Sequence, residues 1–297
     1  MLIYISKKLY WFKRTQNSFE NRRKTTLLFN HSKDNPMKDN AKKLDFFNVN
    51  GVKMSEFLDR FTHFDENLLL EITPTEFYAK TYTPDRSAIK YSALKFDELL
   101  QIKDENLPEN LKVGLIGIKQ YQQALKFLEG SEQVSMGIQY MTIAGLDTEE
   151  ENVAVKTSFN NNNDLQFSFE NGSLTIYGVI TNEKFFNEIA NIDQPTFAFD
   201  LSLEDLVKIK KFSNIDKINN NLNAEYRKGS VIFGNQTFKY RLASQNNEGN
   251  GENSARFPKT YLNMLDNESY RVKVSESRIV FTSQDSQTIL VVGRNDA

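Results

Sequence analysis

The chain has 297 residues, of which 37 are basic and 39 acidic, and 39% are hydrophobic. It has no cysteine, which excludes disulfides, thiolate zinc sites and thiol nucleophiles, and two histidines, His31 and His63, leave little for imidazole chemistry or transition-metal binding. No apolar run approaches the ~18 residues that a membrane-spanning helix needs.

Charge is unevenly placed. Residues 1–36 carry eight basic side chains (Lys7, Lys8, Lys13, Arg14, Arg22, Arg23, Lys24, Lys33) against Glu20 and Asp34. Residues 37–297 therefore hold 29 basic and 37 acidic residues, a net −8. The leader fits an unstructured basic extension ahead of a start at Met37; a transit peptide and a nucleic-acid-binding arm are the alternatives. Asp34-Asn35-Pro36 reads as a breaker before the folded part.

From Leu44 onward, short alternating strands are interrupted by short amphipathic helices. Leu44–Val49 reads as a strand, and Gly51 opens a helix through about Phe64, with Met54, Phe57, Leu58 and Phe61 at i, i+3, i+4, i+7. Asn67–Thr73, Glu76–Thr83 and Ala88–Phe96 follow as strands between proline turns, then Lys112–Gly117 as a strand and Ile118–Leu128 as a helix. Three or four strands fill 133–180, including Leu165–Glu170 and Ser173–Val179 around an Asn171-Gly172 turn. Glu183–Ile192 is either a short helix or a connector that ends at Pro195. The cycle then restarts: Thr196–Leu201 as strand, Leu203–Phe212 as helix, and Leu222–Arg227, Ser230–Phe233 and Thr237–Ala243 as strands. Ser244–Ser254 has no apolar residue apart from glycine and reads as a mobile loop. A helix near Pro258–Leu265 and strands at Tyr270–Val274, Arg278–Thr282 and Thr288–Val292 complete the pattern. Lys119-x-Tyr121-x-x-x-Leu125 and Lys259-x-Tyr261-x-x-x-Leu265 share their spacing, which supports two similar halves.

The helices carry the only feature that points toward a ligand. At 100° per residue, Lys53 and Arg60, then Lys119 and Lys126, then Lys208 and Lys211, then Lys259 fall opposite the apolar stripes, with Lys210 at a boundary. The spans 52–64, 118–129, 203–217 (which adds Lys217) and 257–266 hold nine basic and seven acidic residues, so the rest of 37–297 carries a net −10. Positive charge concentrated on one layer of an acidic protein suits a polyanion; the plainer reading is that these lysines solvate exposed helix faces. The acidic run Asp147, Glu149, Glu150 and Glu151 lacks the alternating spacing of a calcium loop and reads as solvated. No catalytic constellation stands out, so neither an enzyme nor a cofactor or metal site is expected.

Four stretches make the chain resemble the DNA sliding clamps, those of T-even-like bacteriophages and, more distantly, the proliferating-cell-nuclear-antigen (PCNA) type. They are Phe46-Phe47-Asn48-Val49-Asn50 with Val52–Phe64; Thr196–Leu201 with Leu203–Phe212; Arg256-Phe257-Pro258-Lys259-Thr260-Tyr261-Leu262; and Tyr270–Val274 with Arg278–Thr282 and Thr288–Val292. The resemblance implies an α+β fold of two similar clamp domains, 37–182 and 196–297, each with two helices packed on antiparallel sheets and joined by a connector at 183–195. It also implies a homotrimeric ring in the cytoplasm, the host's if viral, closed around double-stranded DNA. Lys53, Arg60, Lys119, Lys126, Lys208, Lys210, Lys211, Lys217 and Lys259 would meet phosphates, and a DNA polymerase and a clamp loader would be partners. Partner peptides would dock beside the connector, at Phe185, Phe186 and Ile189. The alternative is a β-rich phage structural or protein-interaction protein without DNA binding.

Overall fold

The computed structural model describes residues 41–85, 87–102, 107–128, 134–144, 150–161, 165–172, 183–244, 246–285 and 287–294. The basic leader and the strand expected at Ser173–Val179 lie outside them.

The first strand, β1 (Lys42–Val49), buries Leu44 and Phe46 by simple alternation. At Asn48 the backbone turns left-handed (φ 52°), a conformation asparagine tolerates. The alternation shifts by one, so Val49 also points inward. The strand changes partner at the same place: residues 42–46 pair with β7 (Ser135–Ala144), whereas Phe47 and Val49 pair with β5 (Leu100–Ile102). Asn50 then caps α1 (Gly51–Asp59), its Oδ1 accepting the Lys53 amide at 3.1 Å. Regular helix ends at Asp59, short of the expected Phe64, but tight turns carry on and bury Phe61 and Phe64.

The strands β2 (Leu68–Ile72), β3 (Glu76–Tyr82) and β4 (Ala88–Lys95) follow. A one-turn helix, α2 (Phe96–Leu99), and β5 fall where no element was expected. Then come β6 (Leu111–Leu115), α3 (Ile118–Leu128, as expected), β7, β8 (Glu150–Asn161) and β9 (Leu165–Glu170). The ambiguous stretch is helical, α4 (Glu183–Ala190). The second half runs β10 (Phe197–Leu201), α5 (Leu203–Ile215), β11 (Asn221–Arg227), β12 (Ser230–Gly234), β13 (Lys239–Arg241), β14 (Glu248–Gly249), β15 (Asn253–Pro258), a 3₁₀ helix (Lys259–Met264), β16 (Tyr270–Val274), β17 (Arg278–Ser283) and β18 (Thr288–Gly293).

Fourteen strands form one sheet, in the order β14-β10-β16-β17-β18-β4-β3-β2-β6-β8-β7-β1-β5, with β9 added to β8. A second sheet runs β13-β12-β11-β15. The halves meet where β18 pairs antiparallel with β4, Leu290 opposite Lys90. Each half has its own hydrophobic core. In the first, Phe46, Phe57, Phe77, Tyr121 and Leu125 come together; in the second, Phe199, Leu206, Phe233, Phe257 and Tyr261. Phe64 and Ala88, from the first half of the chain, belong to the second core. At about 1.5–3 kcal/mol per buried large side chain, these clusters supply most of the drive to fold. The α1 and α3 helices pack together in the first half, and α5 packs with the 3₁₀ helix in the second.

Two expectations are corrected. The last helix is a six-residue 3₁₀ turn rather than an α-helix, since Pro258 is still in β15 and the chain must reach β16 by Tyr270. Tyr261 within it and Leu265 just after it are nevertheless buried, as are Tyr121 and Leu125 of α3, so the shared spacing marks the same inward side. The polar stretch at 244–254 is tied down. Glu248 and Gly249 pair with β10, Asn246 donates to Asp200 at 2.6 Å, Arg271 bonds Glu248, and β15 begins at Asn253. Hydrogen bonds fix it where apolar contacts are lacking.

Candidate nucleic-acid interface

The nine basic residues singled out on the helices separate into two groups. Lys119 and Lys126 on α3, Lys211 on α5 and Lys217 just beyond it are exposed, with no bond to a described residue. Lys53 is half-exposed and lies 3.8 Å from Glu98. Lys208 is held by Glu204 one turn earlier at 2.6 Å, and that hydrogen bond pushes its ammonium above its ordinary range.

The other three are committed to the protein itself. Lys210 donates to the Leu265 carbonyl at 2.8 Å and to Asn267 at 3.3 Å, and burial pulls its ammonium below the usual lysine range. Lys259 donates to the Asp216 carbonyl at 2.6 Å. These two bonds tie α5 to the 3₁₀ helix by satisfying carbonyls at helix ends. Arg60 turns inward, donating to Ser92 at 2.8 Å and Thr288 at 3.2 Å, with its Nε 4.0 Å from Asp266. Periodicity placed Arg60 outward because it assumed α-helix through Phe64, whereas regular helix stops one residue before it.

Local sequence explains why the helices present these side chains. On α3, Tyr121, Leu125 and Leu128 face the first core, and Gln122 spans to α1, donating to the Ser55 carbonyl and to Asp59 at 3.1 Å. On α5, Ser202 caps the first turn by accepting the Asp205 amide at 3.1 Å, with Glu204 and Asp205 beside the positive end of the helix. Asp205 is buried and accepts the Tyr240 hydroxyl at 2.6 Å, which raises the phenol above its ordinary range and anchors α5 to β13. After α5, Asp216 accepts the amides of Ile218 and Asn219, both at 3.0 Å, and the Asn219 side chain at 2.7 Å. These bonds hold its carboxyl well below the usual carboxylate range.

Of the three connector residues expected to receive partner peptides, the side chains of two are described. The side chain of Phe185 lies outside the described residues. Phe186 and Ile189 are buried. Phe186 sits against Tyr91 and the Lys80 ammonium; nearby, Ile192 packs with Val280 and Val291. Arg278 donates to the carbonyls of Glu188 and Asn191, and Lys273 to that of Ile192. The α4 helix therefore lies closed on the fourteen-stranded sheet.

The sequence reading did not single out two apolar surfaces at sheet edges. Among the described residues, β9 pairs only with β8 and β13 only with β12. Beside β9, Phe127 is 73% exposed and stacks on Phe167 at 6.1 Å. Beside β13, Phe212 packs near Phe238 and Tyr240, and Ile215 and Ile218 are 72% and 90% exposed. The available signal was Phe127 falling off the apolar stripe of α3, next to Lys126.

No family model matches the chain, and no curated protein matches it in sequence. Solved structures do match its backbone. The PCNA2–PCNA3 complex of Sulfolobus tokodaii is similar over 86% of this chain and 99% of its own, at 10% identity and a TM-score of 0.58. The proliferating cellular nuclear antigen of Entamoeba histolytica is similar over 85% and 98%, at 9% identity and 0.59. The PCNA of Thermococcus kodakaraensis is similar over 85% and 100%, at 8% identity and 0.58. The fold is that of the PCNA-type sliding clamps. It is the α+β architecture expected, conserved in backbone at identities too low to carry site residues across. Among the described residues, no cluster of His, Asp and Glu could hold a metal ion, and no helix is long and apolar enough to cross a membrane.

Proposed function

We propose that the chain is a DNA sliding clamp, a non-enzymatic ring that encircles duplex DNA and tethers a replicative polymerase. The carrying observation is the PCNA-type fold over 85–86% of the chain with an apolar-flanked strand edge in each half that has no partner among the described residues. A subunit with two different adhesive edges assembles head to tail, and such contacts close into a ring when the rotation permits. In this reading β9 of one subunit pairs with β13 of the next, burying Phe127 and Phe167 against Phe212, Ile215 and Phe238. Glu170 beside Lys239 and Arg241 adds charge complementarity. Three subunits of two halves each would make the expected homotrimer, and the proposed domain limits of 37–182 and 196–297 follow the two cores except for Phe64 and Ala88, which join the second.

Lys119, Lys126, Lys211 and Lys217 would then face the phosphates, with Lys53 and Lys208 at the margin. Lysine is a point charge that holds phosphate without reading bases, as sliding requires. Partner tails and the clamp loader would engage the outer face around α4. The local runs quoted from the sequence favour the T-even-like phage type, which would work in the host cytoplasm.

A loader-free test is threading. A ring binds a short duplex through its free ends and fails on the same duplex with both ends blocked by streptavidin. Preferential binding to the open duplex supports the clamp. Equal binding to both, or none with a monomer at every concentration in sedimentation, would favour the structural-protein alternative.

A further inference from the structure

One side chain joins the helix layers of the two halves. Lys90 lies on β4, in the seam strand that pairs with Leu290 of β18 on one side and Thr81 of β3 on the other. It is 0% exposed. An ammonium has three protons to donate, and here all three are placed. They go to the Arg60 carbonyl at 2.9 Å, just past α1; to the Met264 carbonyl at 3.0 Å, at the end of the 3₁₀ helix; and to Asp266 Oδ1 at 2.7 Å. The Phe61 and Phe64 rings sit 6.0 and 5.9 Å away.

The surrounding charges close the cluster. The Arg60 guanidinium bridges Ser92 of β4 and Thr288 of β18, and it approaches Asp266. Tyr270 donates its hydroxyl to Glu268 at 3.0 Å and accepts the Asp266 amide at 2.9 Å. The first half contributes Arg60, Lys90 and Ser92; the second contributes Met264, Asp266, Glu268, Tyr270 and Thr288. The helix ends of both halves thus converge on one buried cation.

We propose that Lys90 is a positioning residue that fixes the helix pair α1/α3 relative to α5 and the 3₁₀ helix, so that its removal displaces the two pairs while each core stays folded. An apolar seam would hold the halves together by area alone, and area is tolerant of sliding. A charge with three fixed acceptors is not tolerant, because any slip leaves a buried ammonium or carboxylate unsatisfied. The consequence for DNA rests on the clamp reading, in which those helices carry the phosphate-facing lysines; the geometric claim does not.

The absence of cysteine makes the test direct. Gln123→Cys on α3 and Asn214→Cys on α5, both exposed, give one spin-label pair per chain. Labelled chain diluted into unlabelled chain reports the intramolecular distance. Lys90→Met should shift or broaden that distance by about 1–2 Å or more, the scale of helix displacements in switching proteins. Because this variant leaves the partly buried Asp266 with only the more distant Arg60 guanidinium as counter-charge, Lys90→Met with Asp266→Asn is the second arm. It should recover melting temperature and still show the displaced distance. An unchanged distance in a folded double variant overturns the proposal. Threading onto open duplex should fall in the same variant, although no exposed lysine has been removed. A displaced distance with unaltered DNA binding would support the pin and count against the clamp reading.

Discussion

Replacing Lys119, Lys126, Lys211 and Lys217 with glutamine removes the exposed helix lysines that have no partner among the described residues, and the salt dependence of DNA binding then measures their contribution. Each phosphate contact adds about 0.9 to the slope of log affinity against log salt on duplex DNA. If four of these lysines in a ring touch phosphate at once, their loss lowers the slope by about 3.6. Over a fourfold rise in salt, from ~50 to ~200 mM, the parent should then lose about 150-fold more affinity than the variant; if only two touch at once, about 12-fold. Fluorescence anisotropy on an open-ended duplex, at protein concentrations above assembly, gives the slope directly. The comparison variant is Lys210→Gln with Lys259→Gln, whose ammonium groups bond the carbonyls of Leu265 and Asp216. It should cost about 1–2 kcal/mol of stability per residue and leave the slope nearly intact. Equal loss of slope in both variants, or no loss in the first, would refute the division of the lysines into free and committed groups.

The remaining expectations concern assembly, packing and pH. Phe127→Asp should weaken self-association, because a phenyl ring worth about 1.5–3 kcal/mol when buried is replaced by a charge; sedimentation velocity should show the shift to monomer, and an unchanged mass would place the joint elsewhere. Gly234→Ala should destabilise by about 1–3 kcal/mol or more, since a Cβ there would collide with the Phe238 carbonyl, which is backbone and cannot swing aside; urea melts test this. Burial raises the Glu268 carboxyl above its ordinary range, so its contribution to stability is greatest below about pH 4.5 and is lost as pH rises through the folded-state value. Glu268→Gln should therefore gain stability at neutral pH relative to the parent and little in acid; identical pH profiles would show that Glu268 is not penalised.

Much of the fold was legible in the sequence. Strands such as Tyr270–Val274 and Leu165–Glu170 stand out because strict alternation and turn residues act locally, and Ile118–Leu128 because its apolar stripe is unbroken. The losses came where tertiary bonds override local pattern. Arg60 was read as outward by extending a helix that unwinds at Asp59, and its true partners, Ser92 and Thr288, are 32 and 228 residues away. On a helical wheel Lys259 faces solvent and Lys210 sits at the boundary of the apolar stripe, yet both bond distant carbonyls, which no periodicity reveals. The 244–254 stretch seemed featureless because its order comes from pairings to Asp200 and Arg271. Phe186 and Ile189 were rightly read as apolar, but whether they open a pocket or fill one depends on α4 lying on the sheet. The seam lysine, Lys90, carried no sequence signal beyond sitting in a strand.

If the chain closes into a ring as proposed, the edge of β9, without a partner beyond β8 among the described residues, and the greasy end of α5 also bear on how it behaves before assembly. In the proposed assembly a lone subunit carries two unlike sticky ends, and chains of such subunits have no natural length. Closing into a ring consumes every end at once, so the finished assembly is less prone to precipitate than the parts from which it grows. Slow dilution during refolding should accordingly yield soluble protein, whereas rapid concentration of the monomer should yield filaments or aggregate.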